Sequence, residues 1–503
     1  MTRERPLLAL LLAYLIVGSL FAALTPAWQV PDEPAHYNYA RQIVRQRRCC
    51  PVIEPGDWNQ AYLDQLKAAR FAPELLDELD TIQYEDHQPP LYYQIVSFVY
   101  SWFGGSLVAM RLLSVLMGAG VVLCAYALAK ALLPDRPGVA LGTAAFVAFL
   151  PQHVAMMSGV NNDSLTELLI GLTLLTVVRF LLGHIEQNRW LALWLLPVSL
   201  LGLTAMLVGD RVPAAVGAAV LALIAIGGLT PSLIRTNDWQ IWLLGMLVGL
   251  IFATKSTGYF LGALVPLAII LRYPGVAVAV RRLDGLYLWM LGRKLLFFFI
   301  PALTLGGLWW LRNLNAYGFP DFLGLRMHDL VVADQLRTAD LIAQIGSGAY
   351  LNEFLLTTFR SFWGQFGWMA LPLQGWMYSL LLVLTVVAVA GLVIDRAMAH
   401  RPYTNARYAY RRRVAWLMLW LTMGFTLLAY LFYNTEFVQF QGRYLYPALI
   451  PIGLLMALGV DAWRRWMLPG AAWAQWLPLA VFGLLGVLDI YLILRVIRPL
   501  LLP

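Results

Sequence analysis

The chain has 503 residues, of which 60% are hydrophobic and only 13% are charged, and its mean hydropathy is +0.68. About a quarter of the residues of a soluble domain are charged, so this composition excludes a soluble globular protein and predicts an integral membrane protein. The net charge of +8 does not indicate nucleic-acid binding, because the basic residues lie in short clusters between apolar segments rather than on one soluble face.

About thirteen apolar segments are of adequate length to cross a bilayer, which takes roughly 20 residues of helix. They cover residues 6–26, 106–132, 137–152, 164–182, 189–208, 212–230, 240–254, 257–272, 294–311, 374–394, 414–433, 444–462 and 472–494. Residues 189–230 also fit a re-entrant hairpin. The first segment follows basic residues, as a signal peptide does, but its length favours an uncleaved helix. The sequence therefore predicts an all-α polytopic protein in which residues 1–503 form one transmembrane domain.

The basic residues of the short loops predict the orientation, because cytoplasmic loops carry an excess of Lys and Arg. With the amino terminus in the cytoplasm, the cytoplasmic loops contain Lys130, Arg136, Arg179, Arg235, Arg272, Arg281, Arg282, Arg293, Lys294, Arg396, Arg401, Arg407, Arg411, Arg412, Arg413, Arg464 and Arg465. Only Arg495 and Arg498 argue against this orientation. It places a multi-pass protein in the inner or plasma membrane with two large extracytoplasmic loops, residues 28–88 and 312–373. We expect two or three amphipathic helices in the first of these loops.

Acidic residues follow the first span directly. Asp32 and Glu33 precede Pro34, which suits the first turn of a helix, and an acid at that point caps free backbone N–H groups. A helix cap at the membrane surface is therefore one interpretation. His36 lies four residues after Asp32, so one helical face presents both side chains. Two acids and a histidine at the mouth of a transmembrane bundle favour a functional site.

The first loop closes with the sequence from Tyr84 to Tyr93, which contains Asp86, His87, two prolines and Tyr92. The prolines stiffen the return to the membrane, and tyrosines are typical of the interfacial belt. This structural explanation does not account for Asp86 and His87 beside the lipid surface. Lining a site and a purely structural role both remain open for these two residues.

Three later turns on the predicted outer side also carry polar residues. The turn at residues 158–164 is explained either as a turn with a helix cap or as part of a site. A lysine in the turn at 253–259 opposes the orientation rule, so we expect it to have a partner. Lys255 and Arg443 are the candidates for holding a phosphate, since both are cations at headgroup level. The candidate substrate-binding residues in these turns are Asn162, Asp163, Lys255, Tyr259, Arg443 and Tyr444.

The cysteines and short motifs limit the chemistry further. Cys124 lies in an apolar span, whereas Cys49 and Cys50 are adjacent in the first loop and are either free thiols or a local disulfide. The sequence has no nucleotide-binding phosphate loop and no dinucleotide fingerprint. The polar residues of the outer turns are instead carboxylates, histidines and cations. The cations suit the stabilisation of a lipid-phosphate leaving group, and a carboxylate suits the removal of the proton from an acceptor hydroxyl.

At these residues the sequence resembles the GT-C superfamily of membrane glycosyltransferases. It is most similar to the branch that holds protein O-mannosyltransferases and the lipid A aminoarabinose transferase. The segments that carry the resemblance are Asp32-Glu33, His87-Gln88-Pro89-Pro90-Leu91-Tyr92-Tyr93, Asn161-Asn162-Asp163, Trp309-Trp310-Leu311-Arg312-Asn313 with Tyr317-Gly318, Phe362-Trp363-Gly364-Gln365-Phe366-Gly367-Trp368, and Gly442-Arg443-Tyr444. They occur in the expected order over almost the whole chain.

The resemblance implies a GT-C-like fold and an inverting transfer of a sugar from a polyprenyl-phosphate donor to a lipid, glycan or protein acceptor on the extracytoplasmic side. It implies Asp32 as the general base, Glu33 as its neighbour and Asp86 as a second acid of the site. His36, His87 and Tyr92 join the substrate-binding candidates. We expect no cofactor and no metal, because the acid-x-acid pattern of metal-dependent oligosaccharyltransferases is missing around Asp32.

Two other functions compete with this interpretation. A lipid or sugar transporter, or a flippase, binds its substrate near the bilayer midplane, whereas the polar residues of this chain gather at one membrane face. An assembly subunit of a larger membrane complex needs none of the outer acids and cations. The pattern therefore favours the enzyme.

Overall fold

The computed structural model describes residues 5–183, 238–273, 284–333, 335–398 and 405–503. The helices are, in chain order, α1 (Arg5–Leu24), α2 (Glu33–Gln46), α3 (Gln60–Ala68), α4 (Leu91–Trp102), α5 (Leu107–Leu132), α6 (Pro137–Phe149), α7 (Pro151–Met157), α8 (Asp163–Leu182), α9 (Trp239–Phe252), α10 (Leu261–Arg272), α11 (Gly285–Tyr317), α12 (Leu325–Val331), α13 (Thr338–Ile345), α14 (Ser347–Trp363), α15 (Gly375–Met398), α16 (Ala406–Glu436), α17 (Leu449–Met467), α18 (Leu477–Leu492) and α19 (Arg498–Leu501). Short 3₁₀ helices cover Pro73–Leu75, Leu79–Thr81, Ser256–Gly258, Gly442–Ala448 and Ala472–Trp476, and a π-helical turn covers Ile493–Ile497. Two short antiparallel strands, β1 (Gln365–Phe366) and β2 (Leu371–Pro372), form a hairpin.

The fold is all-α and polytopic, as predicted. Among the described residues, eight helical segments are long and apolar enough to cross a membrane, or nine if α6 and α7, which meet at an angle of 62°, count as one broken span. The number thirteen is therefore not confirmed. The predicted spans 189–208 and 212–230 lie outside the described residues. Where spans were predicted at 240–254 and 257–272, α9 and α10 have 14 and 12 residues, fewer than the roughly 20 that a single crossing needs.

Small residues allow the long helices to approach closely. Gly391 of α15 and Gly459 of α17 face each other so tightly that a Cβ atom added to Gly459 would lie 1.9 Å from the carbonyl oxygen of Ala388. In lipid, helices associate through such backbone contacts because apolar side chains gain little by leaving the hydrocarbon. A larger residue at position 459 would push α15 and α17 apart.

Ion pairs tie several helices together at one end of the bundle. Arg136, which precedes α6, contacts Asp395 of α15 at 3.1 Å, and Arg465 of α17 bonds both Asp395 and Asp461. Arg412 near the start of α16 donates to the carbonyl oxygen of Leu132. The structure thus gathers several basic residues that the sequence analysis assigned to the cytoplasmic side. Arg235, Arg281, Arg282 and Arg401 lie outside the described residues.

The first loop packs around a small apolar core of its own at the other end of the bundle. The buried residues of this core are Ala35, Ile53, Leu63, Leu66, Phe71, Leu79, Ile82, Tyr84 and Val332. Val332 comes from the second loop, so the two loops form one layer over the helix ends. The structure contains the helices predicted for the first loop, α2 and α3, and adds an unpredicted helix, α4. Cys49 and Cys50 form a disulfide, which is one of the two alternatives left open.

Candidate active-site cleft

A polar cleft of about 390 Å³ lies between this loop layer and the helix ends. One wall comes from the first loop and from α3, another from α12 and the β1–β2 turn, and the third from the end of α16 and the segment leading into the 3₁₀ helix at Gly442–Ala448. A volume of this size is typical of sites for small molecules. The charged side chains that line the cleft are Asp32, Lys67, Glu85 and Arg443.

Asp32 precedes α2 in the left-handed conformation, with φ at 67°. Its carboxylate bonds other partners rather than the first N–H groups of α2, so the cap interpretation does not describe its side chain. The Tyr84 hydroxyl donates to Oδ1 at 2.9 Å, and Arg443 donates from Nη2 to Oδ2 at 2.7 Å. Burial raises the pKa of Asp32, but Arg443 and His36 outweigh burial and lower this pKa to about 2. The carboxylate is therefore ionised at neutral pH.

Arg443 is held by a tight backbone junction. A Cβ atom at the preceding Gly442 would lie 2.4 Å from the Phe362 backbone nitrogen, so only glycine fits there. Ser361 accepts a hydrogen bond from the Gly442 N–H and donates to the Phe440 carbonyl oxygen, which fixes the turn. The guanidinium is 8% exposed. Among the described residues, its buried Nε has no hydrogen-bond partner.

A second ion pair lies beside the first. Lys255 Nζ contacts Asp163 Oδ1 at 2.6 Å, which gives Lys255 the partner expected of a cation in this place. His36 is buried between the two ion pairs, with its Nδ1 2.8 Å from the Tyr93 hydroxyl. Burial lowers the pKa of His36, and Lys255 adds to this effect, against the opposing charges of Glu85, Asp32 and Asp163. His36 is thus neutral near pH 7.

Glu85 is a carboxylate that the sequence analysis missed. It lines the cleft beside Asp32. Burial raises the pKa of Glu85 and the charge of Asp32 adds to the rise, while His36 and Lys255 oppose it. Asp32 and Glu85 therefore share one cleft with their pKa values displaced in opposite directions, a pattern common where two acids have different roles.

Glu33 and Asp86, which were predicted to be catalytic acids, lie outside the cleft lining. Glu33 is fully buried and bonds Arg111 at 2.6 and 2.7 Å, and it accepts hydrogen bonds from the backbone N–H groups of Trp28 and Val160. This geometry fits an anchor between α2 and α5. Asp86 is buried and accepts a hydrogen bond from Gln42 at 2.7 Å, and burial raises its pKa well above the ordinary value.

The remaining predicted residues form the surroundings of the cleft. His87 lies 4.3 Å from the ring of His328, which lines the cleft, and burial lowers the pKa of His87 to about 4. Tyr444 lines the cleft, and the Arg443 guanidinium lies 5.6 Å from the centroid of the Tyr444 ring. Asn162 donates to the Tyr93 hydroxyl at 3.3 Å.

Tyr92 and Tyr259 are occupied elsewhere. The Tyr92 hydroxyl accepts from the backbone N–H of Asn161 at 3.0 Å and contacts Ser114. Tyr259 donates to the carbonyl oxygen of Phe252 at 2.6 Å. These bonds stabilise the turns at residues 158–164 and 253–259, and neither tyrosine lines the cleft. Within the described residues, no group of three or more His, Cys, Asp and Glu side chains is arranged to hold a metal ion.

Residues 87–254 match the family model described as dolichyl-phosphate-mannose-protein mannosyltransferase. This match confirms the resemblance to the GT-C glycosyltransferases and supports a transferase. No curated protein sequence matches the chain. The structure is similar to ArnT from Cupriavidus metallidurans bound to undecaprenyl phosphate, with a TM-score of 0.49 and 13% identity over 99% of this chain and 74% of that one. It is also similar to ArnT from the same organism in the apo state, with a TM-score of 0.46 and 14% identity over 100% and 74%.

The matched mannosyltransferase segment covers about a third of the chain and includes the turn at Asn162 and Asp163. It ends immediately before Lys255 and leaves out Asp32 and Arg443. The family match therefore supports the class of protein, while the roles of the cleft residues depend on their geometry.

Proposed function

We propose that the protein is an inverting glycosyltransferase that moves a sugar from a polyprenyl-phosphate donor to an acceptor on the extracytoplasmic side, with Asp32 as the general base. One observation carries the proposal. A carboxylate and a guanidinium, Asp32 and Arg443, are in direct contact inside a polar cleft formed by the loops at one end of a membrane bundle. Such a pair places a proton acceptor next to a cation suited to a phosphate.

The chemistry follows from these two groups. The acceptor hydroxyl attacks the anomeric carbon of the donor sugar from the face opposite the phosphate, and its proton passes to the Asp32 carboxylate. The bond between the anomeric carbon and the phosphate oxygen breaks, and its electron pair stays on that oxygen. Arg443 stabilises the charge that develops on the phosphate, and such preorganised stabilisation is usually a large part of catalysis.

The contact with Arg443 limits the strength of Asp32 as a base. A carboxylate with a pKa of about 2 is a weak base, and general bases work best with a pKa closer to the operating pH. A donor phosphate that binds Arg443 competes with Asp32 for the guanidinium. As the pair loosens, burial and the phosphate charge raise the pKa of Asp32. Donor binding thus makes Asp32 a stronger base.

The orientation is supported by the position of the basic residues. The ion pairs of Arg136 and Arg465 lie near the start of α16 and the end of α17, whereas the cleft lies at the opposite ends of these segments, near Tyr433 and Arg443. Since α16 has 31 residues and rises 1.5 Å per residue, about 45 Å separates its two ends. The positive-inside rule favours the cytoplasm for the end with these basic residues, which supports a cleft on the outer side.

The test is Asp32→Asn in full-length protein reconstituted in nanodiscs. Synthetic polyprenyl-phosphate pentose, hexose and aminosugar donors are supplied with a total envelope extract as acceptor, and mass spectrometry detects the free polyprenyl phosphate that every transfer releases. Asp32→Asn retains the shape but accepts no proton, so we expect the rate to fall by about 10²- to 10⁴-fold. Asp77→Asn, at an exposed aspartate of the same loop, is the matched control and should keep the rate.

Two results would contradict the proposal. If Asp32→Asn transfers sugar as fast as the wild type, Asp32 is not the base, and Glu85→Gln becomes the next variant to test. If the wild type carries labelled lipid or sugar across a liposome membrane without forming polyprenyl phosphate, the protein is a transporter.

A further inference from the structure

Part of the cleft lining has a composition that the transfer chemistry does not use. Its residues, which we call the aromatic rim, are Trp58, Gln60, Lys67, Trp368, Gln439 and Gln441. They come from three separate parts of the chain: the first loop with α3, the β1–β2 turn, and the segment before Arg443. Two indoles and three primary amides therefore converge beside the proposed base.

The β1–β2 turn holds Trp368 in a backbone conformation that side chains rarely adopt. Gly367, Trp368 and Met369 have φ angles of 56°, 55° and 72°, and the last two are not glycine. The turn is held by a hydrogen bond from the Trp368 indole to the Trp28 carbonyl oxygen at 2.9 Å and by one from the Gln365 side chain to the Met369 carbonyl oxygen at 2.7 Å. Strain that is maintained in this way is found mostly at functional sites.

Trp58 is fixed as firmly and connects the aromatic rim to the base. Its indole N–H donates to the Ala333 carbonyl oxygen at 3.0 Å. Its ring meets Tyr84 edge to face at 5.0 Å, and the Tyr84 hydroxyl donates to Asp32. Tyr84 therefore connects the aromatic rim to the carboxylate that would accept the proton of the acceptor.

The amides of the aromatic rim keep hydrogen-bonding capacity for a ligand. Gln441 donates to the side-chain oxygen of Gln439 at 2.8 Å, and Gln60 donates to Asp64 at 2.8 Å. Each primary amide has two donor hydrogens and an acceptor oxygen, so these bonds use only part of its capacity. Lys67 adds a cation 4.8 Å above the Trp368 ring.

We propose that the aromatic rim is the acceptor subsite and that the acceptor it takes is a carbohydrate, a proposal that rests on the proposed function. A sugar ring presents C–H groups on its faces and hydroxyl groups at its edge. The C–H groups pack on the electron-rich face of an indole. Phe71 and Lys67 already lie against the Trp368 ring, so this indole is Trp58, and the hydroxyls exchange hydrogen bonds with the amides. A purely apolar lipid would remove the amides from water without replacing their hydrogen bonds, which is unfavourable.

The experiment measures binding without any donor. Full-length protein in nanodiscs is applied to an array of defined glycans and to an array of peptides rich in Ser and Thr. We expect the wild type to bind a subset of the glycans. The double variant Trp58→Leu/Gln441→Ala should reduce that signal roughly tenfold or more, whereas Trp58→Phe, which keeps an aromatic face, should reduce it less. The control is Trp102→Leu, at an indole that is 84% exposed and lies on α4, outside the cleft.

The outcomes separate this proposal from the proposed function. The acceptor assignment is overturned if no glycan binds the wild type better than the double variant, or if peptides bind instead and depend on Trp58 and Gln441. Glycan binding is measured without a donor, so its outcome does not depend on whether any sugar transfer occurs. Glycan binding without release of polyprenyl phosphate from any donor would reject the glycosyltransferase and not the carbohydrate site.

Discussion

Replacing Arg443 with alanine is the most informative change, because this side chain is proposed to hold the donor phosphate and also lowers the pKa of Asp32. The guanidinium is nearly buried and 2.7 Å from the carboxylate. A hydrogen bond to a charged group contributes roughly 1.5–3 kcal/mol, and 1.4 kcal/mol is a factor of ten in affinity. We therefore expect Arg443→Ala to weaken binding of undecaprenyl phosphate by about 10- to 150-fold.

The same variant should change the dependence of transfer on pH. With the guanidinium removed, the largest influence that lowers the pKa of Asp32 is lost, so this pKa rises from about 2. The acid limb of the rate profile therefore moves to higher pH. The acid limb of Arg443→Lys should lie between those of the wild type and Arg443→Ala, because lysine keeps the positive charge but lacks the planar guanidinium.

Titration of nanodisc-embedded protein with undecaprenyl phosphate, followed by a rate profile from pH 4 to 8, measures both effects. Arg326→Ala, at an exposed arginine of α12, is the matched control and should change neither. If Arg443→Ala binds undecaprenyl phosphate with wild-type affinity, the phosphate is held elsewhere. An unmoved acid limb would mean that Arg443 does not set the basicity of the group that accepts the proton.

Three further predictions concern stability and orientation. Because the pKa of Asp32 is depressed in the folded protein, its ionised carboxylate contributes about 2 kcal/mol to the free energy of unfolding above pH 4, and this contribution is lost as the pH falls towards 2. Measured by thermal unfolding, the wild type should therefore lose more stability between pH 5 and 3 than Asp32→Asn. Glu33→Gln leaves Arg111 buried without its anion and should lower the free energy of unfolding by about 3–5 kcal/mol, and a selective loss of transfer at normal stability would instead return Glu33 to the active site. A cysteine at Arg407 should react with an impermeant thiol reagent only from the cytoplasmic face, and one at Asp77 only from outside; the reverse pattern would refute the orientation.

Composition and the distribution of charge were sufficient to predict the class of fold, and they singled out Lys255 and Arg443, of which Arg443 lines the cleft. Lys255 and Arg443 stand out because each is a cation in a short turn that the positive-inside rule predicts to lie outside. Asp32 stands out because it follows the first span directly. The structure brings Asp32 and Arg443 into contact although 411 positions separate them. The separate turns that carry them therefore converge on one cleft.

The division of roles among neighbouring acids was not predictable. Glu85 and Asp86 are adjacent and lie in two successive turns. One turn is closed by a hydrogen bond from the Asp86 N–H to the Gln83 carbonyl oxygen, and the other by one from the Gln88 N–H to the Glu85 carbonyl oxygen. As a result Glu85 lines the cleft and Asp86 does not. Irregular loops have no periodicity, so the sequence does not tell which side of such a turn faces inward.

The aromatic rim was missed for a related reason. Trp58 and Trp368 lie in different loops, and each is fixed by a backbone carbonyl of the other part of the loop layer, Ala333 and Trp28. Nothing in the local sequence of either tryptophan distinguishes it from an interfacial residue, which is the usual role of tryptophan in a membrane protein.

The ion pair of Asp32 and Arg443 gives the cleft a property that bears on the proposed transfer. Asp32 neutralises Arg443, so a donor phosphate must displace this carboxylate to use the cation. Replacing Asp32 by phosphate at Arg443 lowers the affinity for the donor. The same replacement separates Asp32 from the positive charge that lowers its pKa, so Asp32 becomes a stronger base. An interaction that weakens ground-state binding and strengthens the base serves the transition state more than the bound donor. The ability to accept a proton is thereby linked to the presence of the leaving group.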